Sequence, residues 1–175
     1  MNVPDLHFSL SGEAIVMADL FDRILFLKES SIFSKVTTDD LRHIAQALEE
    51  DVFFAGERVF DINDQGDYLY IITEGKIGIS IDPDPSKKEY VAFIGSGEAF
   101  GEMNLVDDLP RSATAHAIED TRVLALEKSR LSGLLLSYPE IGIGMMRALS
   151  LKIREGHARF AQLQNERNNE DDTKK

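Results

Sequence analysis

The sequence predicts an α+β fold: an antiparallel β jelly-roll barrel flanked by N-terminal helices and by two C-terminal helices. Three observations predict it. Apolar residues recur at helical spacing across residues 13–49. Residues 50–127 hold seven short runs rich in Val, Ile, Phe and Tyr, separated by Gly- and Asp-containing turns. Helical spacing then returns over 128–165. Many short, closely spaced strands build a sandwich or a jelly roll. With 175 residues the chain has room for one domain, placed at 13–165, between a flexible arm at 1–12 and a polar tail at 166–175.

Ile15, Val16, Leu20, Ile24, Leu25 and Leu27 form the apolar stripe of a first helix. A second begins at Thr37-Thr38-Asp39-Asp40, where a threonine hydroxyl can accept from a first-turn N–H and two carboxylates sit at the positive end. Leu41, Ile44, Ala45 and Leu48 mark its buried face. Strands are predicted at Val52–Phe54, Arg58–Asp61, Tyr68–Thr73, Lys76–Ile81, Tyr90–Ile94, Ala113–Ile118 and Arg122–Leu126. Turn residues lie at Gly56, Asn63–Gly66, Glu74-Gly75 and Gly95–Gly97. A polar loop spans 82–88, because Pro83 and Pro85 cannot donate to a ladder. Lys128–Ser137 reads as a short helix broken at Tyr138-Pro139, and Pro139 suits the first turn of the next. Along that last helix Met146, Leu149, Ile153, His157, Phe160 and Leu163 share one face.

Composition narrows the function. The chain is 43% hydrophobic and 29% charged, ordinary usage for a packed globule. It has no cysteine, which excludes disulfides, thiolate metal sites and cysteine nucleophiles and fits a reducing compartment. A net charge of −12 repels phosphate polymers, so direct nucleic-acid binding is not expected, and an anionic ligand needs a locally positive pocket. No apolar run approaches the roughly 20 residues of a membrane span. The opening MNVPDLHFSLSGE lacks the basic and apolar regions of a secretory signal. The expectation is a soluble, cytoplasmic protein.

Catalytic and metal signatures are weak. Asp61-x-Asn63-x-Gln65-Gly66 begins like a calcium loop, but Ile72 stands where a bidentate Glu is needed, so a tight turn is expected. Gly95-x-Gly97-x-x-x-Gly101 is one residue too long for a dinucleotide fingerprint. There is no G-x-S-x-G, P-loop or H-E-x-x-H motif. His7, His43, His116 and His157 are scattered without metal-ligand spacing. No catalytic residue, metal or cofactor is therefore assigned.

The segment Gly95 to Ala115 carries the chemical signal. Phe100-Gly101 opens a short helix whose first N–H groups lack intrahelical partners and so attract anions. Gly101 has no Cβ, which lets a ligand approach the backbone. Arg111, between Leu109-Pro110 and Ser112-Ala113, reads as partly buried, and a buried guanidinium requires an anion. That anion is either internal, from Glu102 or Asp108, or a bound phosphate. The residues alone leave both open.

This segment resembles the phosphate-binding cassette of the cyclic nucleotide-binding domain family, which includes catabolite activator protein, regulatory subunits of cAMP-dependent kinase and cyclic-nucleotide-gated channels. The family pattern F-G-E-[LM]-A-L followed by P-R-[AST]-A is met by Phe100-Gly101-Glu102-Met103-Asn104-Leu105 and Pro110-Arg111-Ser112-Ala113. F-x-A-G-E-x-V-F at Phe53 to Phe60, G-D-x-x-Y-x-I at Gly66 to Ile72 and E-G-x-I at Glu74 to Ile77 extend the likeness, which covers about residues 24–160. The resemblance implies that Arg111, with Ser112 and the Ala113 N–H, holds a cyclic phosphate. It implies that Glu102 accepts the ribose 2′-hydroxyl, with the Gly101 N–H beside it. Phe100, Met103 and Asn104 are cassette neighbours. Ile79 and Ala92 are candidates for the apolar wall around the base, or simply barrel core. Asn104 departs from the family's small Ala; it can add a ligand bond, cap the short helix or crowd the pocket.

In the family the last helix swings onto the base as a lid. Here Arg154, His157 and Phe160 are the capping candidates, by stacking or edge bonding. The same face also fits a helix-packing or dimer seam. The resemblance thus implies a non-catalytic sensor for cAMP, with cGMP second, that reorients its last helix toward an effector protein. A scaffold that keeps the fold, binds no nucleotide and forms a homodimer through that helix is the alternative.

Overall fold

The computed structural model describes residues 20–82, 89–107 and 109–173. The arm at 1–12, Ile15 and Val16 of the first stripe, Pro83 and Pro85 of the polar loop, and Asp108 lie outside the described residues. The elements run α1 (Leu20–Glu29), α2 (Thr38–Ala47), β1 (Glu49–Phe53), β2 (Arg58–Phe60), β3 (Tyr68–Glu74), β4 (Lys76–Ser80), β5 (Ala92–Gly95), β6 (Ala99–Phe100), α3 (Met103–Val106), β7 (Thr114–Ala117), β8 (Thr121–Glu127), α4 (Lys128–Ser137) and α5 (Pro139–Thr173). Two four-stranded sheets, ordered β1-β8-β3-β6 and β2-β7-β4-β5, face each other. The strand pairs are antiparallel, as the jelly-roll expectation requires.

The central strands of the first sheet, β3 and β8, are buried on both faces, and strand alternation shows how. Leu69 and Ile71 of β3, with Leu124 and Leu126 of β8, point outward into a core shared with the helices, including Leu27, Phe33, Leu41, Ile44 and Ile141. Ile72 and Val123, one residue out of step, point inward against Ile77, Phe100, Ala115 and Ala117 of the barrel. Burying both faces requires a continuous apolar run, which is what Tyr68–Thr73 shows.

The α2 start forms as its sequence dictates. Thr37 Oγ1 accepts from the Asp40 N–H at 3.2 Å and donates to Asp40 Oδ2 at 2.7 Å. Leu41, Ile44, Ala45 and Leu48 are buried. In α1, Leu27 is buried but Leu25 is exposed, because the two are not on one face of a single turn.

Two further features differ from the sequence expectation. Among the described residues there are eight strands, not seven: β6 has two residues, too few for any alternation to show. Its pairing of Phe100 with Tyr70 ties the cassette to β3. The face of α5 is the second difference. Ile141, Met145 and Ala148 are buried, whereas Met146, Ile153 and Phe160 of the expected stripe are 63%, 60% and 62% exposed. The helix leaves the core after Ala148 and continues to Thr173, past the boundary expected at residue 165. The side chain of Leu163 lies outside the described residues.

Candidate functional site

Arg111 stands at the centre. Its backbone is fixed by the turn between β2 and β3: its N–H donates to the Asp64 carbonyl at 2.8 Å, and its carbonyl accepts from the Asn63 N–H at 2.9 Å. The calcium-like stretch Asp61–Gly66 is therefore a turn that clasps Arg111. The side chain is 4% exposed. Its Nη2 donates to the Tyr68 carbonyl at 2.8 Å, and its Nη1 donates to the Gly101 carbonyl at 3.1 Å and to Asn104 Oδ1 at 3.2 Å. The guanidinium carbon lies 4.1 Å from the centre of the Phe60 ring. Buried Nε has no hydrogen-bond acceptor.

Every one of these acceptors is uncharged. Among the described residues no carboxylate pairs with Arg111, which answers the question the residues left open for Glu102; Asp108 lies outside them. Burial lowers the Arg111 pKa from its ordinary value. The Tyr70 phenol and the nearby carboxylates of Asp67, Asp64 and Glu102 offset part of that effect. Burial likewise raises the Tyr70 phenol, which stacks on Phe100 with ring centres 5.1 Å apart.

Room for this side chain depends on two glycines. A Cβ on Gly66 would lie 2.4 Å from Arg111 Nε and 2.8 Å from Asn104 Cγ. Gly101 has a φ of 74°, and a Cβ there would lie 2.5 Å from Arg111 Nη1. Left-handed backbone and close approach thus both demand glycine.

A pocket of about 130 Å³ opens beside the guanidinium. Phe60, Ile79, Ile94 and Phe100 line its barrel side, and Gly101–Asn104 with Arg111–Ala113 line the other. The structure therefore brings together Gly101, Glu102, Met103, Asn104, Arg111, Ser112 and Ala113. Ile79 reaches the pocket. Ala92 is its ladder partner on β5 but is exposed and does not line it; Ile94, two residues on, does. Phe100 is 2% exposed and serves as the anchor that roots the cassette in the barrel. Ser112 is exposed, its Oγ donating to Met103 Sδ at 3.5 Å.

Asn104 takes a role that the sequence did not suggest. It is 4% exposed, accepts from Arg111 and donates through Nδ2 to the Leu109 carbonyl. It neither caps α3, where it is the second helical residue, nor obstructs the guanidinium. It closes the 104–111 loop around the arginine.

Arg154, His157 and Phe160 are exposed on α5 and do not line the pocket. The α5 residue that reaches the cassette is Lys152, whose Nζ lies 2.8 Å from Glu102 Oε1. A lysine has no planar group to stack on a base, so stacking chemistry does not single it out in the sequence. Gly66, Phe60 and the Tyr68 carbonyl were also missed. In the sequence Gly66 is a turn residue that opens the G-D-x-x-Y-x-I motif and Phe60 closes F-x-A-G-E-x-V-F, and neither motif places its residue against Arg111. Among the described residues no group of three or more His, Asp or Glu side chains is placed to hold a metal. Among them, too, no helix is long and apolar enough to cross a membrane.

Comparison with known proteins gives the same address. Residues 50–138 match the family model described as the cyclic nucleotide-binding domain. The chain is 27% identical over 137 residues to a CRP-like cAMP-activated global transcriptional regulator of Mycobacterium tuberculosis, covering 78% of this chain and 61% of that protein. It is 31% identical over 125 residues to a cAMP-dependent protein kinase regulatory subunit of Debaryomyces hansenii, covering 69% of this chain and 27% of the subunit. The crystal structure of the N-terminal domain of a transcriptional regulator from Streptomyces coelicolor is similar with a TM-score of 0.67 at 27% identity, covering 77% of this chain and 94% of that one. The chain thus spans 61% of the bacterial regulator and 27% of the kinase subunit.

Proposed function

The chain belongs to the cyclic nucleotide-binding domain family, and from that premise we propose that it is a non-catalytic sensor of a cyclic nucleotide, cAMP before cGMP. One observation carries the reading: a buried Arg111 whose bonds all go to uncharged oxygens, beside an open pocket. Burying a charge without an opposite charge is costly, and a compact phosphate monoanion removes that cost. Arg111, with Ser112 and the Ala113 N–H, takes the cyclic phosphate. Glu102 takes the ribose 2′-hydroxyl, with the Gly101 N–H beside it. Ile79 and Ile94 supply apolar wall for the base. The names of the two curated relatives, both of which mention cAMP, favour cAMP over cGMP.

The output in this reading is a change in α5. A ligand shifts a helix only by binding its two positions unequally. An exposed apolar stripe leaves α5 surface to bury when nucleotide is present, with Arg154, His157 and Phe160 as capping candidates. The effector is another protein or a further segment. A net charge of −12 disfavours direct nucleic-acid contact by this domain, and the lack of cysteine suits the cytoplasm.

A thermal-shift experiment tests the reading. Ligand at a hundred times its dissociation constant adds about 2.7 kcal/mol. For a domain of this size that raises Tm by roughly 5–10 °C. No shift with either nucleotide at millimolar concentration would overturn it. The exposed stripe on α5 favours one second reading, a scaffold that dimerises through this helix and binds no nucleotide. Light scattering with and without nucleotide separates the two: a dimer that forms regardless and takes up no nucleotide supports the scaffold.

A further inference from the structure

The cassette helix α3 is gripped at both ends by lysines of the C-terminal helices. At its C-terminal end, Lys128 of α4 donates to the Asp107 carbonyl at 2.6 Å. At its N-terminal end, Lys152 of α5 pairs with Glu102 at 2.8 Å. The second grip is unlike ordinary packing. Between α3 and α5 lies an open groove of about 440 Å³ bordered by Met103, Leu149 and Ile153. The ion pair bridges that gap, so it brings α5 to the cassette where apolar contact does not.

Glu102 is also the carboxylate to which the proposed function gives the ribose hydroxyl, and the inference rests on that reading. We propose that Lys152 is an internal competitor of the nucleotide for Glu102: it tethers α5 to the cassette, and the ligand must displace it. An oxygen already bonded to an ammonium is a poorer acceptor for a hydroxyl. Conversely, a Glu102 engaged by ribose releases the only ion pair by which a described α5 residue holds the cassette. Ligand entry and loss of this tether then become one exchange at a single carboxylate, which frees α5 to move to its lid position. The equilibrium is soft, because a pair whose side chains are 48% and 20% exposed contributes little. Softness of this kind lets a ligand of modest affinity drive the exchange.

Titration calorimetry with cAMP and cGMP on the parent, K152M, E102Q and the double variant tests this. The sign is diagnostic. Removing a cation near an anionic ligand weakens binding by simple electrostatics, whereas removing a competitor strengthens it. K152M is expected to bind about two- to fivefold more tightly than the parent. That gain is expected to vanish in the E102Q background. Equal or weaker binding by K152M overturns the proposal, as does a gain that survives E102Q. If no variant binds either nucleotide, the sensor reading itself has failed, and the competition falls with it. Hydrogen exchange in the ligand-free proteins then judges the tether alone: faster exchange through 102–107 in K152M upholds it, and unchanged exchange overturns it.

Discussion

Two cations flank the cassette, and their surroundings invert what solvation leads one to expect. Arg111, from the barrel side, is 4% exposed and touches no carboxylate. Lys152, from α5, has a half-exposed side chain and is paired with one. The buried charge is held by shape: two glycines make its space, Asn104 closes the loop and the Phe60 ring covers its face. The exposed charge is held by one exchangeable contact. The comparison teaches that the binding half of the site is over-determined and stores cost, whereas the half that would signal is lightly held.

Replacing Arg111 gives the largest expected effect. Charge-assisted bonds are worth about 1.5–3 kcal/mol each, so losing two of them in R111M weakens nucleotide binding by about a hundredfold or more. Stability should stay within about 1 kcal/mol of the parent, since an apolar side chain of similar length removes a desolvation cost while leaving neutral acceptors unpaired. Calorimetry and thermal denaturation together check this. A loss of several kcal/mol would make Arg111 a structural residue and dissolve the contrast with Lys152. The pH profile sharpens the same point. A folded-state pKa below the unfolded value means that the protonated form opposes folding, and stability from this group returns only as pH rises through the folded pKa. A guanidinium stays protonated throughout ordinary buffers. Stability curves of R111M and parent should therefore run parallel between about pH 5 and pH 8.

Gly66→Ala attacks the space instead of the charge. Its new Cβ would overlap Nε and Cζ of Arg111, at 2.4 and 2.5 Å, so the guanidinium must move. Overpacking of this kind costs about 1–3 kcal/mol, and nucleotide affinity should fall with the displaced arginine. Asn104→Ala is gentler. It removes one of the two acceptors for Nη1 and the donor to the Leu109 carbonyl, a loss of about 1 kcal/mol of stability. Binding should persist, weakened less than tenfold, because Ala is the residue that the family pattern carries there. Denaturant melts with titrations on both variants would show whether shape or hydrogen bonding contributes more to holding Arg111.

What was legible in the sequence follows the reach of local pattern. Thr37 and its two aspartates announce the α2 start, and the unbroken run of large apolar residues from Leu69 to Ile72 announces a strand. Arg111 stands out as a guanidinium beside prolyl and small residues. The misses need information from elsewhere in the chain. Two-residue β6 exists because Tyr70 pairs with Phe100, thirty positions on. Asn104 could be read as polar, but its partners Leu109 and Arg111 meet it only once the loop closes. Apolar spacing on α5 gives a stripe but not its direction. That depends on how the chain turns at Tyr138-Pro139, and here the turn sends Ile141, Met145 and Ala148 inward.

The smallest expected effect lies on that stripe. Ile153 and Phe160 are 60% and 62% exposed, so Ile153→Ser and Phe160→Ser should change the stability of the ligand-free protein by less than about 0.5 kcal/mol. Exposed apolar side chains that cost nothing when replaced are spare in one state and available in another. If nucleotide draws α5 onto the site, the same substitutions should reduce the ligand-induced rise in Tm while leaving the ligand-free Tm unchanged. If α5 stays where it is, neither value should move, and the lightly held half of the comparison would be a passive extension. A loss of stability without ligand would point instead to a buried seam between copies of the chain, and raising the protein concentration should then raise Tm as well.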